Sequence, residues 1–186
     1  LFVAAFILSL GCFFFRFEII DLLYHHRDCY SGTIFGILIL GFVPISATYI
    51  FGTLLPANGS LKQLNIMAFT AMVLNIVLNL ILIPRMQATG AAIVSLSTQS
   101  FAALVQIFIA IKVFKFKLRL PATIKFVFFL LIIISLGVAL TAYKTQIPLK
   151  WHYLLILYAL VCFGISIALK LFNPKGLYEI VKYNKS

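Results

Sequence analysis

Amide and hydroxyl side chains recur at helical spacing inside two long apolar runs of this 186-residue chain. In the first run, Asn75 and Asn79 lie four residues apart, and in the second run Ser95, Gln99 and Gln106 follow a similar period. The chemistry of these groups is hydrogen bonding. Two interpretations stay open: the groups bond between packed helices, at about 0.6–2 kcal/mol each, or they line a hydrated cavity for a polar cargo.

Arg16 is the most notable charged residue, because it ends the first apolar run. A charge is expensive within the bilayer, and the cost falls towards the interface. Two roles are therefore open: a structural pair with Glu18 or Asp21, or contact with an anionic group such as a phosphate or an acidic sugar. Residues 16–31 mix charged and apolar side chains and predict an interfacial turn or short helix.

The sequence contains no recognisable motif for covalent catalysis. No serine-hydrolase, zinc-protease or phosphate-loop motif occurs, and the carboxylates form no paired cluster. His25 and His26 are adjacent, so on a helix their rings point apart, and the three cysteines have no metal-binding spacing. We predict no catalytic residue, no metal and no cofactor, and therefore a protein that is not an enzyme.

The composition is that of a membrane protein. The chain is 63% hydrophobic and 10% charged, against about 45–50% and about 25% in soluble domains. A net charge of +11 raises the question of nucleic acid, but the bases lie between and after apolar runs, where they set topology or touch anionic lipid. We predict no nucleic-acid partner. Because the chain begins at Leu1 inside an apolar run, we expect a fragment of a longer protein.

Six apolar segments organise the chain. Spanning the membrane takes about 20 residues in a helix, whereas barrel strands are about 10 residues long and alternate in polarity. The sequence therefore predicts an all-α integral membrane protein with six transmembrane helices. Their predicted ranges are 1–15 (cut at its start), 32–55, 63–83, 90–111, 122–143 and 152–172.

The break between the third and fourth segments carries the clearest helix-boundary signals. Pro84 is predicted to end the third segment, because proline donates no backbone hydrogen bond. Gly90, Ala91 and Ala92 begin the fourth segment with almost no side chain, which favours close helix packing over ligand contact. A connection this short predicts antiparallel neighbouring helices.

The basic residues orient the segments. If the loops alternate sides, one side holds ten Lys and Arg residues and the other holds four. The positive-inside rule makes the richer side cytoplasmic. This side includes the loops at 56–62 and 112–121 and the C-terminus.

Two stretches resemble a known family. They are YIFGTLLPANGSLKQLN at 49–65 and LNIVLNLILIPRMQATGAAIVSLSTQS at 74–100. Both are similar to the C-terminal part of polysaccharide biosynthesis proteins. These are the O-antigen and capsule repeat-unit flippases of the multidrug/oligosaccharidyl-lipid/polysaccharide exporter superfamily. The residues that carry the resemblance are Asn75, Asn79, Pro84, Gly90, Ala91, Ala92 and Ser95. The stretch EIIDLLYHHRDCYSG at 18–32 also resembles the family. The chain departs from the pattern at His25 and Ala88, where glycine is common.

The resemblance implies an architecture in which this chain is the second lobe of a twelve- to fourteen-helix exporter. Residues 1–120 would form the family's C-terminal transmembrane region, 121–173 two appended helices, and 174–186 a basic cytoplasmic tail. The implied activity is translocation of undecaprenyl-pyrophosphate-linked oligosaccharide across the bacterial inner membrane by alternating access. The implied partners are the lipid-linked oligosaccharide, membrane lipid and an N-terminal lobe of the same protein.

Three other functions stay open at this point. A drug/cation antiporter of the same superfamily would be favoured by an acidic residue inside the membrane. A membrane enzyme of surface-glycan assembly would be favoured by a large outward loop, and the outward loops here are short. A structural bundle without transport is the fourth interpretation. Within the flippase interpretation, the candidate substrate-pathway residues are Asn75, Asn79, Ser95, Gln99, Gln106 and Arg16.

Overall fold

Seven helices account for nearly all of the described chain in the computed structural model. The structure describes residues 2–24, 28–115, 120–143 and 150–169. The helices are α1 (Phe2–Phe14), α2 (Arg16–Tyr24), α3 (Cys29–Leu40), α4 (Phe42–Ala57), α5 (Leu61–Phe114), α6 (Leu120–Tyr143) and α7 (Trp151–Ala168). No strand occurs in these ranges, so the all-α prediction is confirmed there. His25, His26, Arg27 and the basic tail at 174–186 lie outside the described residues.

Within the described ranges, four helical stretches are long and apolar enough to cross a membrane. The chain therefore has the features of a multi-pass membrane protein. The four stretches are Cys29–Ala57, Leu61–Phe114, Thr123–Tyr143 and Trp151–Ala168, and the bent pair formed by α1 and α2 makes five if it counts as one span. The sequence predicts six because it separates 63–83 from 90–111, whereas both segments lie within Leu61–Phe114, which is interrupted by the non-helical residue Gln87.

The prediction that Pro84 ends the third segment is wrong. The helical backbone continues through Pro84 and departs from helical geometry only at Gln87, which has φ 51° and ψ −129°. Proline withholds one hydrogen bond from the carbonyl four residues before it, but its ring fixes φ near about −65°, which is a helical value. The missing hydrogen bond belongs to the last helical turn before Gln87, so few backbone hydrogen bonds of this arm follow it.

Helix α5 folds back on itself at Gln87. Asn75 Nδ2 lies 3.2 Å from Thr98 Oγ1, although 23 residues of straight helix would separate them by about 35 Å. Residues 61–86 and 88–114 are therefore the first and second arms of an antiparallel hairpin, which we call the α5 hairpin.

Gly90 permits the close approach next to this turn. It is buried, and a Cβ atom at this position would lie 2.5 Å from the backbone carbonyl oxygen of Leu82. Because that oxygen belongs to the backbone, it cannot rotate away as a flexible side chain would. Ala92, two residues later, is 2% exposed. Small residues at the start of the second arm therefore bring the two backbones together.

The chain divides into two compact units, Leu1–Lys117 and Leu118–Ser186. In the first unit, α5 packs on α3 and α4, and α1 packs on the same two helices. Helices α1 and α2 meet at Phe15, which is fully buried, and are bent by 70°. Gly41 separates α3 from α4 with helix-like backbone angles, so these two helices together form one of the candidate spans.

The second unit pairs α6 with α7 through large apolar side chains. Phe129, Ile133, Leu154, Tyr158 and Cys162 are each at most 1% exposed. The Tyr158 hydroxyl donates a hydrogen bond of 3.2 Å to the carbonyl oxygen of Ile133. This pair is held by side-chain packing together with this hydrogen bond between the helices.

Candidate functional site

A ladder of hydrogen bonds joins the two arms of the α5 hairpin near its turn. Asn79 Nδ2 donates to Asn75 Oδ1 at 2.8 Å, and Asn75 Nδ2 donates to Thr98 Oγ1 at 3.2 Å. The Thr98 hydroxyl in turn donates to the carbonyl oxygen of Val94 at 2.9 Å. The ladder therefore begins on the first arm and ends in the backbone of the second arm.

Most of this ladder faces protein. Thr98 is buried and the two asparagines are half-buried. Amides and hydroxyls that bond across helices in this way stabilise membrane packing. At Asn75 and Asn79, the geometry is that of the packing interpretation.

Gln99 and Gln106 have a different environment. Gln99 Nε2 donates to Ser95 Oγ at 3.0 Å, within the second arm. The other amide atom of Gln99, Oε1, is buried and accepts no hydrogen bond in the structure. Gln106 is 4% exposed, and its Oε1 likewise has no partner. An unsatisfied carbonyl oxygen in an apolar setting costs several kcal/mol in free energy, so these two atoms require an explanation.

Glycines on the neighbouring helical stretch make room for both glutamines. A Cβ atom at Gly41 would lie 2.9 Å from Gln99 Oε1, and one at Gly52 would lie 4.0 Å from the Gln106 amide. Gly41 precedes α4 and Gly52 lies within it. The second arm of α5 therefore presents its glutamines to α4, and not to the first arm.

A groove of about 480 Å³ runs between α4 and the second arm of α5. We call it the α4 groove; its lining residues include Thr48, Tyr49, Gly52, Thr53 and Gln99. The hydroxyls of Thr48 and Thr53 donate to backbone carbonyls of their own helix. Their oxygen atoms and Gln99 Oε1 therefore remain as acceptors, which suits a ligand or water that donates hydrogen bonds.

Arg16 belongs to the bend between α1 and α2. Its Nη1 donates to the carbonyl oxygen of Phe13 at 3.0 Å. The guanidinium carbon lies 4.6 Å from the ring centre of Phe13 and 4.4 Å from that of Phe17. A Cβ atom at Gly36 of α3 would lie 2.5 Å from Arg16 Cδ. Arg16 is therefore built into this bend and is not one of the residues that line the α4 groove. Anion binding by Arg16 stays a prediction.

The structure thus sorts the six predicted pathway residues into four places. Asn75 and Asn79 lie between the arms of the α5 hairpin, Ser95 and Gln99 bond to each other within the second arm, and Gln106 faces Gly52. Arg16 lies apart, in the bend. Among the described residues, no three His, Cys, Asp or Glu side chains lie close enough to hold a metal ion.

Three residues of this region carry roles that the sequence patterns did not reveal. Thr98 lies beside the predicted polar stripe of Ser95, Gln99 and Gln106, yet it is the residue that contacts Asn75. Its contact with Asn75 could have been predicted from the position of the turn, because Asn75 and Thr98 lie at nearly equal sequence distances from Gln87. Gly41 and Gly52 carry no such signal, because nothing in their sequence neighbourhood identifies the glutamines that they face.

Comparison of the chain with models of known protein families, with curated proteins and with solved structures finds no match. The function must therefore be argued from the α5 hairpin, the α4 groove and their residues.

Proposed function

We propose that this chain is one lobe of a bacterial inner-membrane exporter that flips lipid-linked oligosaccharides by alternating access. One observation carries the proposal. The amide oxygens of Gln99 and Gln106 have no hydrogen-bond partner. Gln99 lines a groove that has room for a donor, and Gln106 faces Gly52 on the wall of that groove. In the working protein, water or sugar hydroxyls would supply these missing hydrogen bonds.

The proposal includes six membrane crossings. Each arm of the α5 hairpin holds more than the roughly 20 residues that a crossing requires. Two arms, the α3–α4 stretch, α6 and α7 give five crossings, and the bent pair of α1 and α2 gives a sixth. The positive-inside rule then places the C-terminus in the cytoplasm.

The cargo class follows from the character of the α4 groove. Its polar lining side chains are all neutral and supply acceptors at Thr48, Thr53 and Gln99 and a hydroxyl at Tyr49, and sugar hydroxyls can bond to groups of both kinds. Aromatic and aliphatic groups line the remainder, including Tyr49, Ile45 and Ala102. A surface of this kind shields a sugar from hydrocarbon without forming a covalent bond. We propose an undecaprenyl-pyrophosphate-linked repeat unit as the cargo, in line with the family resemblance.

The antiporter alternative receives less support from the residues. Cation exchange calls for an ionisable carboxylate within the membrane. From residue 29 to residue 178, the sequence contains no Asp or Glu. Glu18 and Asp21 lie in α2, the second half of the bent sixth crossing, and Asp28 precedes α3, so no carboxylate lies in the other five crossings.

Water access to the α4 groove is the first test. In the full-length protein, Cys29→Ser removes an exposed thiol, and single cysteines are then introduced at Gln99 and Thr53. Leu104, which is 66% exposed on the second arm but does not line the groove, provides the matched control. We expect a membrane-impermeant thiol reagent to label the two groove positions at least about tenfold faster than Leu104→Cys. Equal rates would show that the groove is dry and would reject the proposed pathway.

Transport is the second test. Gln99→Leu removes the unpartnered oxygen, so we expect it to leave the thermal unfolding midpoint within a few degrees of wild type. We also expect it to slow translocation of a fluorescent lipid-linked oligosaccharide in proteoliposomes by about tenfold. Leu104→Gln is the control for a change of polarity elsewhere on the same arm. Wild-type translocation by Gln99→Leu would contradict the proposed role of this residue.

A further inference from the structure

We propose that the open end of the α5 hairpin binds an anionic glycerophospholipid, with its phosphate at Lys112 and one acyl chain between the two arms. The two arms separate at the end away from Gln87 and leave a groove of about 400 Å³. We call it the α5 groove. Six of its lining residues are Gln63, Ile66, Thr70, Phe101, Phe108 and Lys112.

The length of the α5 groove matches one leaflet. Its lining residues extend from Gln63 to Thr70 on the first arm, and from Val113 back to Phe101 on the second. At about 1.5 Å per residue these stretches are about 10 Å and about 18 Å long, and half of the hydrocarbon core is about 15 Å thick. An acyl chain that enters at Lys112 would therefore end near the middle of the membrane. A polyprenyl chain is much longer than this groove.

Charge at the mouth of the α5 groove identifies the headgroup. Lys112 is exposed and lines the groove, and Lys62 is exposed and adjacent in sequence to the lining residue Gln63. None of the residues that line the groove is acidic. The first arm begins and the second arm ends at this mouth, so their helix dipoles oppose each other and the lysines decide the sign. Basic pockets between membrane helices on the cytoplasmic side favour anionic headgroups.

An apolar groove in a bilayer receives lipid chains whatever their headgroup, so selectivity is the property to measure. The full-length protein in neutral detergent is given equal amounts of phosphatidylglycerol and phosphatidylcholine, and native mass spectrometry counts the lipids retained. We expect phosphatidylglycerol to be preferred, and Lys112→Gln to weaken its binding about fivefold while phosphatidylcholine is unaffected. Lys125→Gln, an exposed position outside the groove, is the matched control and should change nothing.

A second pair of variants tests the acyl-chain site. Val105 lines the α5 groove, so Val105→Trp should fill it and reduce retention of both lipids. Leu104→Trp adds the same ring one residue away, outside the groove, and should leave retention unchanged. Because these measurements involve no transport, their outcome is independent of the proposed flippase activity.

Three results would overturn the proposal. The first is equal retention of the two lipids by the wild-type protein. The second is unchanged phosphatidylglycerol retention in Lys112→Gln, which is expected to fold because Lys112 is exposed. The third is displacement of phosphatidylglycerol by an equal amount of polyprenyl phosphate, which would identify a lipid carrier as the occupant.

Discussion

The α5 hairpin and the α6–α7 pair solve the same packing problem in opposite ways. Between the arms of α5, contact depends on small residues and on side-chain hydrogen bonds. Gly90 allows the two backbones to approach closely, and Asn75 donates a hydrogen bond to Thr98. Between α6 and α7, contact depends on bulk, with Phe129 and Tyr158 fully buried. Since lipid tails are as apolar as these side chains, close packing and polar bonds must supply the association energy in both pairs. The comparison teaches that either source can hold a helix pair.

The largest expected effect is the difference in stability between two glycine-to-alanine variants. Gly90→Ala places a Cβ atom 2.5 Å from the Leu82 carbonyl oxygen, whereas a Cβ atom at Gly164 of α7 has nothing within 4 Å. We expect Gly90→Ala to lower the free energy of unfolding by about 1–3 kcal/mol, as overpacking does. Gly164→Ala should leave it unchanged or raise it by up to about 1 kcal/mol. Unfolding of the purified protein in mixed micelles measures both.

Similar stability of the two alanine variants would contradict this expectation. It would mean that the turn at Gln87 can open without cost, and that the α5 hairpin does not depend on the close approach at Gly90.

A double-mutant cycle sharpens the contrast between polar and bulky interfaces. Asn75→Ala removes one bond accepted from Asn79 and one donated to Thr98. Tyr158→Phe removes the hydroxyl that bonds to Ile133 of α6 and also contacts Cys162 of its own helix. At about 0.6–2 kcal/mol per bond, we expect Asn75→Ala to destabilise the protein more than Tyr158→Phe, because a cysteine sulfur forms only weak hydrogen bonds. The cycle of Asn75→Ala with Thr98→Val should show a coupling energy of at least about 0.5 kcal/mol.

Additive effects of Asn75→Ala and Thr98→Val would show that the bond between the two arms does not contribute to stability. Phe101→Ala on the second arm, which leaves the ladder atoms intact, serves as the control for general loosening of the α5 hairpin.

The smallest expected effect concerns the first residues of α3 and α7. Asp28 caps α3: it accepts hydrogen bonds from the Ser31 hydroxyl and from the N–H groups of Tyr30 and Ser31, which lower the pKa of its carboxyl below the ordinary value of 3.8. The bonds favour the ionised form, so the cap is complete above the unfolded-state pKa and is lost as pH falls through the lower folded-state pKa. Helix α7 begins after Lys150 without a side-chain cap. Its first turn should therefore show no such transition.

Nuclear magnetic resonance shifts of the Tyr30 and Ser31 amides, followed from about pH 6 to about pH 2, report this titration. Asp28→Asn can still cap the helix but does not titrate, so the transition should disappear in that variant. A midpoint at or above 3.8 in the unsubstituted protein would be inconsistent with the capping bonds.

Local patterns in the sequence were informative wherever one segment alone decides the outcome. The apolar runs predict helices, and their described residues are helical. The small residues Gly90, Ala91 and Ala92 predict close packing at the start of the fourth segment, where the structure brings the two backbones together. The same local rule failed at Pro84, because a proline near the end of a helix forfeits one hydrogen bond without stopping the backbone. The turn lies at Gln87, a residue type that gives no turn signal and rarely adopts positive φ.

Local sequence patterns could not predict which polar side chains contact each other. Ser95 and Thr98 are both small hydroxyl residues on the second arm, and helical spacing alone places either near Asn75. The choice of Thr98 follows from the register of the α5 hairpin, which depends on where the chain folds back. Gln99 and Gln106 belong to the predicted stripe, yet they face α4 because Gly41 and Gly52 leave space there. The sequence does not report which neighbour a helix face contacts.

Taken alone, the sequence determined that this chain is helical and built for a membrane, because composition and segment length act residue by residue along the chain. Only the tertiary structure decided that the asparagines are bonded between two arms while the glutamines keep unpartnered oxygens beside a groove. The physical reason is that a hydrogen bond depends on the distance between two atoms. For residues far apart in sequence, the fold sets that distance.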